Sequence, residues 1–159
     1  MNRVGIGYDV HQFAEDRDCY LGGVKIEYEK GLLGHSDADV LIHAIADALL
    51  GSLGEGDIGY HFPNTDPEWK DARSTLFLEH ISRMIAERRA TINNVDATVI
   101  AEAPKVLPHL NAMREVLSKS LKIKPSQITI KATTNETMGF VGRKEGIAAM
   151  AVASIEITS

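Results

Sequence analysis

Arg3-Val4-Gly5-Ile6-Gly7-Tyr8-Asp9-Val10-His11 alternates along its length, with Val4, Ile6 and Tyr8 on one side and Gly5, Gly7 and Asp9 on the other. Successive side chains of a strand point to opposite faces, so Arg3 to Val10 is predicted as a strand. The next long periodic segment is helical. Ser36 is its expected N-cap, Asp37 and Asp39 suit the positive end of its dipole, and Leu41, Ile45 and Leu49 with Ala44 and Ala48 make its apolar stripe. Gly51 and Gly54 are expected to end it. Between them, Tyr20 to Tyr28 reads as a hairpin turning at Gly22-Gly23. Beyond them, helices are predicted from about Ala72 to Arg89 and near His109 to Leu121, and strands over Asn94–Ile100, Gln127–Ala132 and Ile147–Ile157. This order of elements predicts an α+β fold with an α/β-like chain order: a single mixed sheet with helices packed on one face.

The 159 residues fit one domain, spanning 1–159, and can bury a core without disulfide staples. Apolar residues at 44% and charged residues at 25% are ordinary for a globular protein. Cys19, the only cysteine, reads as a bystander thiol in a reducing compartment. A formal net charge of −5 argues against a general nucleic-acid binder, which carries a basic face. An anionic small substrate would instead be held locally, by a metal, a helix N-terminus or a few placed lysines. With neither a signal peptide nor an apolar run long enough to span a bilayer, the chain is expected to be cytoplasmic, or in the plastid stroma if a transit peptide has been removed.

The chemistry is concentrated near the front. Asp9 and His11 stand two apart on a strand and therefore face one side, where both could meet one metal ion. His43 lies on the first helix, off its apolar stripe, and is a candidate third ligand. One carboxylate and two imidazoles suit zinc, and three protein ligands leave a fourth position open for catalysis. Asp39 and Asp47, four residues either side of His43, are candidates to fix its free ring nitrogen. On spacing alone a satisfied helical histidine is the commoner case. His35-Ser36 precedes the helix, where a phosphate could meet free N–H groups. The turn-rich Gly56-to-Asp66 loop, Lys105 after a strand, the polar run Thr133-Thr134-Asn135-Glu136, and Phe140-Val141-Gly142-Arg143 are each, taken singly, no more than loops with functional side chains.

Their ordered combination is more specific. Gly5 to His11, Gly31 to Asp37, His43-Ala44 with Asp47 to Gly51, Gly56 to Gly59, Phe62 to Asp66, Asn94 to Asp96, Glu102 to Lys105, Lys131 to Glu136, and Gly139 to Arg143 with Glu145-Gly146 resemble, from end to end, the 2-C-methyl-D-erythritol 2,4-cyclodiphosphate synthase family. The resemblance implies a homotrimer with its sheets around a central axis and active sites shared between neighbouring subunits. It implies zinc on Asp9, His11 and His43, and a magnesium or manganese ion near Glu136 bridging substrate phosphates. It implies that His35 and Thr134 steady the transition-state charge. Ser36 and Asn135 would contact substrate. Ala101, Glu102, Ala103, Pro104, Lys105, Val106, Leu107 and Thr133 would hold the cytidine end. Asp57, Ile58, Gly59, Phe62, Pro63, Asn64, Thr65 and Asp66 would line the methylerythritol end. Phe140 and Arg143 match an apolar cavity on the trimer axis, similar to a site for isoprenoid diphosphates. Two positions depart from the pattern: Asn64 stands where the family often has aspartate, and Val106 where methionine is commoner.

The implied activity is a metal-dependent phosphorus–oxygen lyase of the non-mevalonate isoprenoid pathway, acting on a small cytidine diphosphate substrate. A zinc phosphoesterase would instead yield no cyclic product. A non-catalytic trimeric isoprenoid-diphosphate binding protein would show no turnover and would tolerate His43→Ala.

Overall fold

The computed structural model describes residues 1–158. The first strand, β1 (Asn2–Ala14), is followed by the hairpin β2 (Cys19–Leu21) and β3 (Val24–Ile26), the short β4 (Gly31–Leu32), and helix α1 (Val40–Leu53). Next come the one-turn α2 (Ile58–His61), α3 (Thr75–Glu87), β5 (Ala90–Ile100), α4 (Leu110–Leu121), β6 (Ile128–Thr133), the one-turn α5 (Gly139–Gly142) and β7 (Gly146–Ile157). The main sheet runs β4-β1-β7-β5-β6. Its pairs are antiparallel except β5 with β6, so the sheet is mixed. Among the described residues no helix is long and apolar enough to cross a membrane.

One face of the sheet is built from very small side chains. Gly5, Gly7 and Asp9 of β1 pair with Ala153, Ala151 and Ala149 of β7, which in turn pair with Val95, Ala97 and Val99 of β5. On this floor lies α1, whose own Ala44 and Ala48 face β1. A Cβ on Gly7 would overlap the Ala44 carbonyl oxygen, and one on Gly5 the Ala48 carbonyl oxygen. Backbone meets backbone here, with no side chain to yield. Gly7→Ala is therefore expected to cost about 3 kcal/mol or more, read as a lowered midpoint in urea denaturation.

The predicted apolar stripe on α1 understates its burial. Twelve residues are buried, from Val40 to Leu53, because sheet, α3 and loops enclose it. Its cap also differs from expectation. Ala38 is left-handed (φ 58), so the helix cannot start at Ser36. Asp39 caps it instead, its Oδ1 accepting from the Ile42 N–H at 3.0 Å. Gly51 lies inside the helix, and Gly54 (φ 78) closes it in the left-handed conformation that glycine adopts freely. The second long helix starts at Thr75, later than predicted, because Asp37 holds the Ser74 N–H in the preceding turn. The Gly22-Gly23 hairpin forms as predicted, and its two N–H groups bond the Asp39 carboxylate at 2.9 and 2.7 Å.

Asp39 is wholly buried, and burial, with the Asp37 charge adding to it, pushes its carboxyl up to about 6 despite three N–H donors pulling the other way. An unfolded aspartate loses its proton near 3.8, so between 3.8 and about 6 the folded chain retains a proton that the unfolded chain has lost. Stability from this group is complete below that window and falls as pH rises through it. Asp39→Asn is expected to flatten that fall, seen by comparing urea midpoints from pH 4 to 7. Cys19 is buried, and burial, then the Asp39 charge, push its thiol up to about 12, where it is unreactive at neutral pH.

Among the described residues no long helix covers the opposite face of the sheet. Val4, Ile6, Tyr8 and Val10 of β1 and Met150 and Val152 of β7 are all exposed there, Ile6 at 67% and Tyr8 at 52%. Ile6 stands directly opposite Val152, so these side chains form one continuous apolar patch.

Candidate active site

The alternation of β1 that buries Gly5 and Gly7 under α1 also turns Asp9 and His11 toward that helix. His43, one turn into α1 and nearly buried, meets them. His11 Nε2 lies 2.9 Å from Asp9 Oδ2, His43 Nδ1 lies 3.1 Å from the same oxygen, and the two nitrogens are 3.1 Å apart. Among the described residues this is the one group of ligand side chains with metal-binding geometry. Tetrahedral zinc with ligands at about 2.0–2.1 Å sets neighbouring donors about 3.3 Å apart. The triangle fits that demand almost without adjustment.

Each ring is oriented by its other nitrogen. His11 Nδ1 bonds the Leu33 carbonyl at 2.6 Å, which places a proton there and makes Nε2, beside Asp9, the ring nitrogen available to a metal. His43 Nε2 faces Ser74 Oγ at 3.0 Å and Ser36 Oγ at 3.3 Å. The expected partners Asp39 and Asp47 do neither job. Asp39 is committed to the α1 cap and the glycine hairpin, and Asp47 accepts the Ile58 N–H at 2.8 Å. Helical spacing placed them on the right side of α1, but loop N–H groups reached them first. Burial works against the Asp9 charge, yet hydrogen bonds and charges from His11 and His43 outweigh it and hold the carboxyl at about 2. His11 is raised: burial lowers it, but the Asp9 contact and the Leu33 carbonyl overcome that. The triangle is electrostatically primed for a cation.

A cleft of about 370 Å³ opens over the triangle. His35, Ser36, Ile58, Gly59, Phe62, Pro63 and Asn64 line it together with Asp9, His11 and His43. His35 Nε2 bonds the Asp66 carbonyl at 3.2 Å, tying the predicted catalytic histidine to the loop. Asp57, Thr65 and Asp66 are not on the cleft wall. The two carboxylates serve as caps, Asp57 for the Tyr60 N–H at 3.1 Å and Asp66 for the Glu68 N–H at 2.9 Å. Phe62 is buried and stacks on Phe77 at 4.4 Å between ring centroids, with Trp69 edge-on at 5.0 Å. Sequence reasoning missed Trp69, Phe77, Gly34 and Ser74 here. The only tryptophan in a loop was one available signal, and Gly34 lay inside the resembling Gly31-to-Asp37 stretch without a role attached; nothing in the sequence singled out Phe77 or Ser74.

The remaining candidates gather at the far edge of the sheet. Ala101 N–H bonds the Thr133 carbonyl at 2.9 Å, continuing the parallel β5–β6 pairing. Glu136 (φ 51) and Thr137 (φ 62) are consecutive left-handed residues. This uncommon turn is held by the Glu102 carboxylate, which accepts the Thr137 N–H at 2.6 Å, and by Thr134 Oγ1, which accepts the Glu136 N–H at 3.2 Å. Glu136 is thus an exposed carboxylate on a fixed backbone. Asn135 Nδ2 donates to the Met138 carbonyl at 3.3 Å. Ala101, Pro104 and Val106 are buried, Glu102 and Ala103 partly so, and Lys105 and Leu107 exposed. Phe140 lines a second cavity of about 460 Å³ with Val10, His11 and Lys144, whereas Arg143 is outside it and pairs with Glu145 at 3.2 Å.

These two groups do not converge within one chain. Val10, Ala148, Ile100 and Thr133 lie in one row across β1, β7, β5 and β6. Three interstrand steps separate the metal triangle's strand from the Thr133–Glu136 strand by about 14 Å. Because β1, β5 and β6 run the same way, both groups nevertheless end at the same rim of the sheet.

The model of the YgbB family matches residues 2–156. The 2-C-methyl-D-erythritol 2,4-cyclodiphosphate synthase of Halalkalibacterium halodurans is 58% identical over 152 residues, 96% of this chain and 97% of that one. Among solved structures, the bifunctional IspDF of Campylobacter jejuni superposes with a TM-score of 0.95 at 38% identity, covering 100% of this chain, which spans 43% of that longer one. A complex of Plasmodium falciparum IspF with CDP matches with a TM-score of 0.86 at 35% identity, over 99% of this chain and 97% of that chain.

Proposed function

The chain belongs to the YgbB family, and on that footing we propose that it does the work of the cyclodiphosphate synthases that it matches along nearly their whole length. It converts 4-diphosphocytidyl-2-C-methyl-D-erythritol 2-phosphate into 2-C-methyl-D-erythritol 2,4-cyclodiphosphate and CMP, in the non-mevalonate isoprenoid pathway. An oxygen of the 2-phosphate attacks the β-phosphorus, the bond from that phosphorus to the oxygen bridging the α-phosphate breaks, and CMP leaves with that oxygen. The observation that carries the reading is the end-to-end family match with the Asp9, His11 and His43 triangle intact.

Attacker and target are both anions, so the barrier is electrostatic and orientational. Asp9, His11 and His43 hold zinc, which when bound supplies a Lewis acid to a phosphate oxygen. Glu136 would hold magnesium or manganese, a hard cation that takes one or two carboxylates and would supply charge neutralisation at the substrate phosphates. His35, fixed by the Asp66 carbonyl, and Thr134 donate to the phosphates, and Ser36 and Asn135 add contacts. Residues 101–107 with Thr133 take the cytidine end, and the 57–66 loop the methylerythritol end. Asp57 and Asp66 act there through the backbone turns they cap. The Plasmodium falciparum complex with CDP supports a cytidine nucleotide substrate.

The unit over residues 1–159 functions as a homotrimer. Its support is twofold: the apolar sheet face lacks a partner, and the two halves of the site are too far apart in one chain. A neighbour's Thr134 and Glu136 then complete the cleft. In the assembled trimer Phe140 would border an axial cavity suited to an isoprenoid diphosphate, and Arg143, which in one chain pairs with Glu145 outside the Phe140 cavity, would turn to meet the diphosphate.

Incubating the purified protein with the cytidine diphosphate substrate and magnesium, and following phosphorus NMR, tests the reading. CMP and cyclic diphosphate should appear in equal amounts. CMP without cyclic product would show a phosphoesterase, and no turnover a binding protein.

A further inference from the structure

Ser74 occupies the N-cap position of α3, where a serine hydroxyl usually accepts a helix N–H, yet its side chain makes no capping bond. It is fully buried and its hydroxyl points instead at His43 Nε2, 3.0 Å away. On its other side it donates to Asp37 Oδ1. Asp37 is itself buried and anchored, with Oδ2 accepting the Ser74 N–H at 3.0 Å and facing Arg73 Nε at 3.4 Å, and Oδ1 accepting the Asp39 N–H at 3.1 Å.

The direction of this chain of bonds is fixed by proton counting. His43 Nδ1 faces Asp9 and His11, so a metal there takes the Nδ1 lone pair and leaves the ring proton on Nε2. Nε2–H then donates to Ser74 Oγ, and the Ser74 hydroxyl hydrogen has the Asp37 carboxylate as its acceptor. A carboxylate acting through a hydroxyl on the far nitrogen raises the basicity of the ligating nitrogen and fixes the ring plane. Ser36 Oγ is the other oxygen near Nε2, but it is farther at 3.3 Å and already accepts the Ala38 N–H at 3.2 Å.

We propose that Ser74, backed by Asp37, is a positioning residue that sets the tautomer and metal affinity of His43 without touching metal or substrate. The inference rests on the reading of Asp9, His11 and His43 as zinc ligands. The test is the zinc dissociation constant of wild type and Ser74→Ala, by competition with a chromophoric chelator, beside the urea midpoint of each metal-free protein. Wild type should bind one zinc per chain; failure of that step overturns the zinc reading before any variant is made. Ser74→Ala is expected to weaken zinc about 10- to 100-fold while the metal-free midpoint moves little. An unchanged zinc constant, whether or not the midpoint falls, overturns the inference, because Ser36 or water then suffices. Should Ser74→Ala not fold, nitrogen-15 NMR of zinc-loaded wild type decides: an exchange-protected His43 Nε2–H supports the relay, and a rapidly exchanging one refutes it.

Discussion

Asp9→Ala protein is expected to purify without zinc and to form cyclic diphosphate at least about a thousandfold more slowly than wild type, the scale set by losing a preorganised charge-stabilising group. Asp9 Oδ2 is the one oxygen in contact with both imidazoles, so its removal breaks the triangle at its shared corner. Two histidines are left facing one another at 3.1 Å with no anion beside them, so the site keeps two neutral donors but loses the negative charge and the third ligand that hold a divalent cation tightly. The fold should survive, because Asp9 is partly exposed and carries no backbone N–H. Zinc per chain by atomic emission, far-ultraviolet dichroism and phosphorus NMR on one preparation separate these effects. A zinc-free variant with undiminished cyclisation would sink the metal-dependent reading.

Ile6→Asp is expected to release monomers in sedimentation velocity and to lower turnover about a hundredfold or more, while zinc per chain stays at the wild-type level. Ile6 is at the middle of the uncovered sheet face, opposite Val152, and each such side chain contributes about 1.5–3 kcal/mol when buried. In the proposed trimer a carboxylate in its place would have to be desolvated at an apolar interface, and cyclic symmetry would repeat that penalty at every interface. Activity should fall because the chain that holds zinc cannot bring its own Glu136 strand, about 14 Å away, to the same phosphates. An active monomer would refute shared sites. The two variants are diagnostic as a pair: one loses metal with assembly intact, the other assembly with metal intact.

The sequence carried the candidate metal-binding side chains better than their supports. Asp9 and His11 follow from strand alternation, which is local, and the triad was legible because one more histidine stood on the neighbouring helix. The Gly22-Gly23 turn was likewise legible. The start of α1 was not, because the left-handed Ala38 breaks the helix for reasons set by the tertiary turn. Nor was the role of Asp39, which helical spacing placed beside His43 and tertiary contacts drew to a hairpin seventeen residues back in sequence. Ser74 was invisible, since a serine ahead of a helix signals a cap, and only the fold shows its hydroxyl turned away. The exposed sheet face was half legible: Val4, Ile6 and Tyr8 were seen to share a face, but alternation alone does not say which face the helices cover.

The seam where Gly5 and Gly7 meet the backbone of α1 also shapes how this protein can vary. His43 is carried on that helix and Asp9 on that strand, so the distance between two of the proposed ligands is inherited from a contact with no adjustable side chain in it. Substitutions around α3 and α4 can be absorbed by repacking and should accumulate with little effect on metal binding. In a randomised library, selection for turnover should leave positions 5, 7, 44 and 48 almost monomorphic while the helical periphery diversifies, although none of those four residues touches metal or substrate.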